Sequence, residues 1–358
     1  MHYDTADDPA ITGSAWIGMQ WEKARAEYLK TGKRYLLILD EIQKLENWSS
    51  YIKKYFDEDR RKNYDIRPVI LGSSSLLMQK GLTESLAGRF ELHGHYQWPY
   101  YECKECFNLK QEEYLYFGGY PGALMIREDE DRWVSYIKDS LIEAVVAKDI
   151  LFLSQVSKPI LMRQTFGYSA GHPAEIVSYQ KMLGTLTDAG NATTIANYLH
   201  LLSNAFIVTP LQKYSAMRIG QKASTPKILV HDNGIVNALK GISYIDFLAD
   251  KDYYGRLFEN SVGINLYNAA KNVSGDIFYW RERNYEVDYV VKAHGKIFAV
   301  EVKSGNSDLD FKGLKAFKRK YPEAILIVIS KNEILIDGII WLNAINYFNS
   351  PEILFSLK

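Results

Sequence analysis

The sequence has 358 residues, 43 basic and 43 acidic side chains, and 47% apolar residues, a composition typical of a globular protein and not of a disordered one. The balanced charge excludes a globally basic nucleic-acid binder, so any such surface must be local. No apolar run approaches the roughly 18 residues of a membrane span. The two cysteines exclude a disulfide framework and indicate a reducing cytoplasm, which predicts a cytoplasmic protein without membrane contact.

Residues 1–98 alternate helix and strand signals. Tyr35–Leu39 and Pro68–Leu71 are short apolar runs, as expected of strands buried in a parallel sheet. Asp40-Glu41 follow the first run, where a Walker B strand places an Asp that holds Mg²⁺ and a Glu that polarises water. The alternative is an ordinary strand that ends in solvent.

Further polar residues follow in the order that a nucleotide site requires. Ser73 or Ser74, after the second run, lies where a residue senses the γ-phosphate, and Arg89 is an arginine that could reach a neighbouring subunit's phosphate. A P-loop also needs Gly-x-x-x-x-Gly-Lys-Ser/Thr, and neither Gly32-Lys33 nor Gly295-Lys296 is followed by Ser or Thr. We therefore expect the 358 residues to begin just beyond a Walker A segment and to be incompetent as an ATPase.

The middle of the chain reads as two segments. Residues 99–165 are mainly helical. Residues 166–225 carry two short helices, capped by Ser178 and by Asn191 or Thr193, and then a hairpin, which is the outline of a winged helix. Its candidate recognition segment, residues 191–212, has no Lys or Arg, which favours a packing or interaction module over duplex readout.

Residues 226–358 return to an α/β pattern with a second group of acidic residues. A symmetric hairpin about His294-Gly295 pairs Asp288 with Glu301, with Cβ atoms about 5 Å apart. Two such carboxylates can share Mg²⁺ or Mn²⁺, Lys303 can position or activate water, and Glu259 can add a carboxylate. The alternative is an exposed hairpin with paired acid and lysine.

A basic helix follows this hairpin. Its cations lie mostly opposite its apolar residues, and it could contact a phosphate backbone or simply be a solvated face. The cations are Lys312, Lys315, Lys318, Arg319 and Lys320.

These segments together resemble a known family, the prokaryotic AAA-type ATPases with a C-terminal PD-(D/E)XK nuclease-like domain. The resemblance covers nearly the whole chain and implies an α/β multidomain protein. Its parts are an incomplete P-loop NTPase core (1–98), a helical lid (99–165), a winged-helix-like module (166–225) and a nuclease-like α/β domain (226–358). The matching segments, in order, are residues 39–48, 72–75, 84–90, 118–122, 279–283, 286–288 and 300–305.

The resemblance also implies roles for individual residues. Asp40 and Glu41 are the Walker B pair that serves Mg²⁺ and ATP, Ser73 or Ser74 is sensor-like, and Arg89 is an arginine finger in a homo-oligomer. The nuclease-type positions are Glu259, Asp288, Glu301 and Lys303.

Three hypotheses of function follow. The first is ATP hydrolysis coupled to a C-terminal domain directed at DNA or RNA. The second is an Mg²⁺-dependent nuclease that uses Asp288, Glu301 and Lys303. The third is a non-catalytic interaction or regulatory module.

Overall fold

The computed structural model describes residues 1–8, 10–11, 13–72, 86–143, 156–186, 191–215, 225–305 and 311–357. These form two compact units, residues 1–94 and residues 95–358, and both combine helices with β-sheet. Within the described ranges, none of the helices joins the length and the apolar character that crossing a bilayer requires.

The first unit is built on a parallel sheet with the order β1-β2-β3. The two strands predicted from apolar runs are confirmed as β2 and β3, whereas the first strand was missed because it is polar. The strands are β1 (His2–Thr5), β2 (Tyr35–Asp40) and β3 (Ile66–Ile70), and the helices are α1 (Ala15–Thr31) and α2 (Trp48–Lys62).

A buried carboxylate ties the two helices of this unit together. Asp59 on α2 accepts hydrogen bonds from Trp21 Nε1 at 2.6 Å and from Arg25 Nε at 2.7 Å, both on α1. Leu37 and Leu39 on β2 are fully buried in the same unit. Because β2 is the middle strand and its side chains are packed, its carboxyl end has a fixed position.

The second unit carries most of the helices. The π-helical turn Tyr136–Ile142 directly follows the helix Glu130–Ser135. The helices are α3 (Tyr100–Phe107), α4 (Gln111–Phe117), α5 (Pro121–Leu124), α6 (Glu130–Ser135), α7 (Pro159–Ala170), α8 (Tyr179–Thr185), α9 (Ala192–Asn204), α10 (Asn233–Lys240), α11 (Tyr244–Ala249), α12 (Lys251–Asn272), α13 (Lys312–Lys320), α14 (Ala344–Asn349) and α15 (Ile353–Ser356).

Two sheets lie in the second unit. A short antiparallel pair joins β4 and β5, and a mixed five-stranded sheet has the order β10-β9-β8-β7-β6. The hairpin predicted about His294-Gly295 is confirmed as β7 and β8. The strands are β4 (Val208–Leu211), β5 (Lys227–Val230), β6 (Asp276–Glu282), β7 (Tyr285–Ala293), β8 (Lys296–Lys303), β9 (Ile325–Ser330) and β10 (Ile340–Asn343).

The two predicted helix caps of the middle segment are confirmed. The Ser178 side chain accepts the N–H of Lys181 at the start of α8, and the Asn191 side chain accepts the N–H of Thr194 at the start of α9. Strand β4 then pairs with β5 across the boundary predicted at residue 225. The division of the chain at residues 98, 165 and 225 stays a prediction.

Candidate functional site

The carboxyl edge of the first sheet presents two consecutive acidic residues. Asp40 ends β2, and its carbonyl accepts the N–H of Ala6 at 2.9 Å, while Leu39 accepts the N–H of Leu71 at 2.9 Å. The segments that follow β1 and β3 therefore flank this edge. Tyr3 Oη donates to Asp40 Oδ2 at 2.7 Å, and this hydrogen bond raises the pKa of Tyr3.

Glu41 lies in a sharp turn just beyond the strand. Its φ of 51° is left-handed, which reverses the chain into the 3₁₀ turn Ile42–Lys44. Gln43 Nε2 donates to Glu41 Oε2 at 2.9 Å, and Lys44 Nζ lies 3.7 Å from the same oxygen. Two carboxylates at the end of a central parallel strand form an anionic edge suited to a hydrated divalent cation.

The other residues predicted for this nucleotide site are Ser73, Ser74 and Arg89. Ser73 and Ser74 lie outside the described residues. Arg89, predicted to reach a neighbouring subunit, forms a two-pronged ion pair within its own unit. Its Nε is 2.9 Å from Asp57 Oδ1, its Nη2 is 3.2 Å from Asp57 Oδ2, and this contact lowers the pKa of Asp57.

The hairpin that carries the second acidic group has the predicted register. Tyr289 pairs with Val300 and Ala293 with Lys296, about a turn in which His294 and Gly295 both have positive φ. The ladder ends at the Tyr289 pair, one step before Asp288 and Glu301. Beyond it, Asp288 Oδ2 accepts the N–H of Val302 at 2.8 Å, so a side chain continues the bonding between the two strands.

The centre of this acidic group is a lysine that sequence analysis missed. Lys227, the first residue of β5, is only 1% exposed, and its Nζ lies 2.5 Å from Glu259 Oε1. The same ammonium is 3.8 Å from Asp288 Oδ1 and 3.9 Å from Glu286 Oε1, and it donates to the Asp288 carbonyl at 3.2 Å. A lysine before the apolar run Ile228–Val230 looks like a solvent-exposed strand end, and only the fold brings the carboxylates to it.

Burial and charge act against each other in this cluster. Burial alone would lower the pKa of Lys227, but the surrounding carboxylates raise it above its usual value. Burial and the neighbouring Asp288 raise the pKa of Glu259 to about 7, although Lys227 acts to lower it. Burial also raises the pKa of Glu286. The cluster is thus held together by one ammonium that neutralises part of its negative charge.

Glu301 and Lys303 form a separate pair at the end of β8. Lys303 Nζ is 3.1 Å from Glu301 Oε1, while the buried Oε2 of Glu301 has no hydrogen-bond partner among the described residues. Burial, followed by the charge of Asp288, raises the pKa of Glu301 well above its usual value. Asp288 thus opposes the negative charge of Glu301, while Lys303 balances it.

The metal site predicted at Glu259, Asp288 and Glu301 stays a prediction. Nowhere in the described ranges do three His, Cys, Asp or Glu side chains converge as a metal-binding group. The physical reason is Lys227, whose ammonium stands among the carboxylates of Glu259, Glu286 and Asp288. Lys303 is paired with Glu301, and its predicted role toward water stays a prediction.

Replacing Lys227 tests whether it balances the cluster. We expect Lys227→Met to lower the free energy of unfolding at pH 8 by about 3–5 kcal/mol, because it leaves buried carboxylates unpaired. This decrease in the free energy of unfolding should be smaller at pH 5. Carboxylates whose pKa values are raised in the folded state bind protons there, and the buried negative charge is then removed. Urea unfolding of wild type and variant at both pH values measures this difference.

A matched control is Lys331→Met in the same unit. Lys331 Nζ is 2.7 Å from a single carboxylate, Glu112, and its side chain is 29% exposed. We expect Lys331→Met to lower the free energy of unfolding by less than Lys227→Met does, and this decrease should depend less on pH. Equal losses for the two variants at both pH values would contradict the role given to Lys227.

Three family matches cover most of the chain. Residues 2–115 match the family described as AAA domain, residues 108–246 match a domain of unknown function (DUF8612), and residues 254–348 match a domain of unknown function (DUF4143). Asp40, Glu41 and Arg89 lie within the first match, and Glu259, Asp288, Glu301 and Lys303 lie within the third.

Relatives occur in bacteria and in an archaeon. An uncharacterized protein of Haemophilus influenzae is 25% identical over 285 residues, which are 75% of this chain and 66% of that protein. One of Mycobacterium tuberculosis is 26% identical over 276 residues, and one of Methanocaldococcus jannaschii is 22% identical over 279 residues. These matches cover 76% and 73% of this chain and 59% of each relative, so the chain spans less than two thirds of their length.

The chain also has a weak structural match to protein VC1899 from Vibrio cholerae. It covers 90% of both chains at 10% sequence identity with a TM-score of 0.23, a likeness too low to support an argument about fold. The family matches are the informative comparison. An AAA domain at residues 2–115, together with the DUF4143 domain at residues 254–348, supports an AAA-type ATPase family for this chain.

Proposed function

We propose that this protein couples ATP hydrolysis, at the Asp40-Glu41 edge, to a C-terminal domain directed at nucleic acid. The observation that carries the proposal is the position of this pair. Asp40 ends the middle strand of a parallel sheet, Glu41 turns away directly after it, and both lie in the segment that matches the AAA domain. In this proposal Asp40 holds the Mg²⁺ of the nucleotide through water, and Glu41 polarises the attacking water.

The proposal extends to the segments between the two ends of the chain. Residues 99–165 form the helical lid, and residues 166–225 form the winged-helix-like module. The helical character of the described part of the lid, the caps at Ser178 and Asn191, and the antiparallel ladder of β4 and β5 support this division. An oligomer in which Arg89 reaches a neighbouring nucleotide requires its ion pair with Asp57 to open.

Glu41→Gln tests the ATPase proposal. The 358 residues contain no Gly-x-x-x-x-Gly-Lys-Ser/Thr segment, so the assay uses both this chain and any in-frame extension encoded upstream of Met1. We expect little hydrolysis by the 358 residues alone, and Mg²⁺-dependent hydrolysis where an extension supplies a Gly-x-x-x-x-Gly-Lys-Ser/Thr segment. Because Glu41 acts on the water, the variant should lower kcat by about 10²–10⁴-fold while nucleotide binding is kept.

Glu46→Gln is the matched control, because Glu46 is an exposed carboxylate six residues from Asp40 on the same connection. It should leave kcat unchanged. Full activity of Glu41→Gln, or no hydrolysis by the extended chain, would overturn the proposal.

A second candidate function is a metal-dependent nuclease that uses Asp288, Glu301 and Lys303. One observation favours it, namely the hairpin register that brings Asp288 next to Glu301 at the end of the ladder. The position of Lys227 among the carboxylates is unfavourable, because a divalent ion there would have to displace an ammonium that is fully buried.

Cleavage of DNA and RNA with Mg²⁺ or Mn²⁺ decides between these candidates. We expect wild-type protein to leave both nucleic acids intact, because Lys227 already neutralises part of the cluster's charge. Cleavage that is lost in both Asp288→Ala and Glu301→Ala would establish the nuclease instead. Cleavage that persists in both variants would indicate a contaminating enzyme.

A further inference from the structure

Helix α13 concentrates positive charge on the second unit. Its sequence, Lys312–Lys320, contains five basic residues and no acidic one. Leu314 and Phe317 on its other side are fully buried, and Phe311 just before it is 3% exposed. The apolar residues therefore anchor the helix in the core and leave its basic side chains exposed.

Three of these cations line one cavity. The cavity has a volume of about 340 Å³ and is lined by Tyr285, Lys312, Lys315 and Arg319. The three cations stand at positions i, i+3 and i+7, which lie on one face of a helix. They span about 10 Å along the helix axis.

Three other described charged residues near the cavity, Lys318, Lys320 and Glu286, have partners of their own. Lys318 Nζ donates to the Ala324 carbonyl at 2.7 Å, and Lys320 Nζ is 2.5 Å from Glu282 Oε2. On the adjoining strand, Glu286 lies 3.9 Å from Lys227 and 3.8 Å from Arg281. Lys318, Lys320 and Glu286 are thus each in contact with groups other than the three lining cations.

Close packing holds this helix against the strand that supplies the tyrosine. A Cβ at Gly313 would overlap the carbonyl oxygen of Glu286. Helix α13 can therefore pack this closely on β7 only because residue 313 has no side chain. Tyr285, the residue before Glu286, is 36% exposed beside the cations. A partly exposed aromatic ring next to backbone-binding cations is the usual arrangement of a single-strand binding surface.

We propose that this cavity binds single-stranded nucleic acid, with phosphates on Lys315 and Arg319 and a base against the ring of Tyr285. The inference deepens the proposed function, because it locates the nucleic-acid contact of the C-terminal domain. It depends on the nucleic-acid part of that proposal and is independent of the ATPase part.

Binding of a fluorescein-labelled 20-nucleotide dT oligomer, followed by anisotropy at several KCl concentrations, tests the inference on the full chain. Lys315→Gln/Arg319→Gln should raise Kd at least tenfold and reduce the slope of log K against log salt by about 1.4, as expected for two lost phosphate contacts. Tyr285→Leu should raise Kd about fivefold or more, while Tyr285→Phe keeps the stacking surface and the affinity.

Lys251→Gln/Lys292→Gln is the charge-matched control. Both lysines are exposed on the same unit, and Lys292 lies at the opposite end of β7 from Tyr285. This variant should bind like wild type. Equal weakening by the two double variants would mean that only overall charge matters, which overturns the inference.

Two further results would also overturn it, and they separate it from the proposed function. Wild-type binding that survives both Lys315→Gln/Arg319→Gln and Tyr285→Leu would place the nucleic acid elsewhere and leave the proposed function standing. No binding of the oligomer, with binding of poly-glutamate that needs Lys315 and Arg319, would make the partner an acidic protein. The nucleic-acid part of the proposed function would then fail as well.

Discussion

A single buried ammonium organises the C-terminal half of this protein. Lys227 begins β5, and it meets carboxylates from α12 and from β7, two elements far from it in sequence. Removing either sign of charge would leave the other buried and unpaired, which costs several kcal/mol in proteins. The acidic cluster and the lysine therefore depend on each other, and the positions of Glu259 and Asp288 follow from that dependence.

This constraint changes what the acidic cluster can do. Carboxylates grouped at the end of a hairpin normally suggest a metal-dependent reaction, but here a cation from the chain itself stands among them. The exposed positive charge lies instead on α13, where three cations and a tyrosine line one cavity. In the proposed function, contact with nucleic acid needs no metal in the cluster, and ATP hydrolysis is assigned to the Asp40-Glu41 edge.

The sequence predicted local features well. The hairpin register followed from His294-Gly295, because a two-residue turn with positive φ fixes which residues face each other. The helix caps followed from Ser and Asn next to helical patterns. Contacts between distant segments were not predictable, since Lys227 meets Glu259 across 32 positions and Arg89 meets Asp57 across 32 positions. No local pattern specifies such partners, and only packing brings them together.

The most direct test of this account is an Mn²⁺ titration of the wild-type protein followed by electron paramagnetic resonance. If Lys227 balances the cluster, wild type shows no stoichiometric Mn²⁺ site that depends on Asp288, and Lys227→Met gains one. A wild-type site of one Mn²⁺ per chain that disappears in Asp288→Asn would contradict the account, because the carboxylates would then bind a metal despite the lysine.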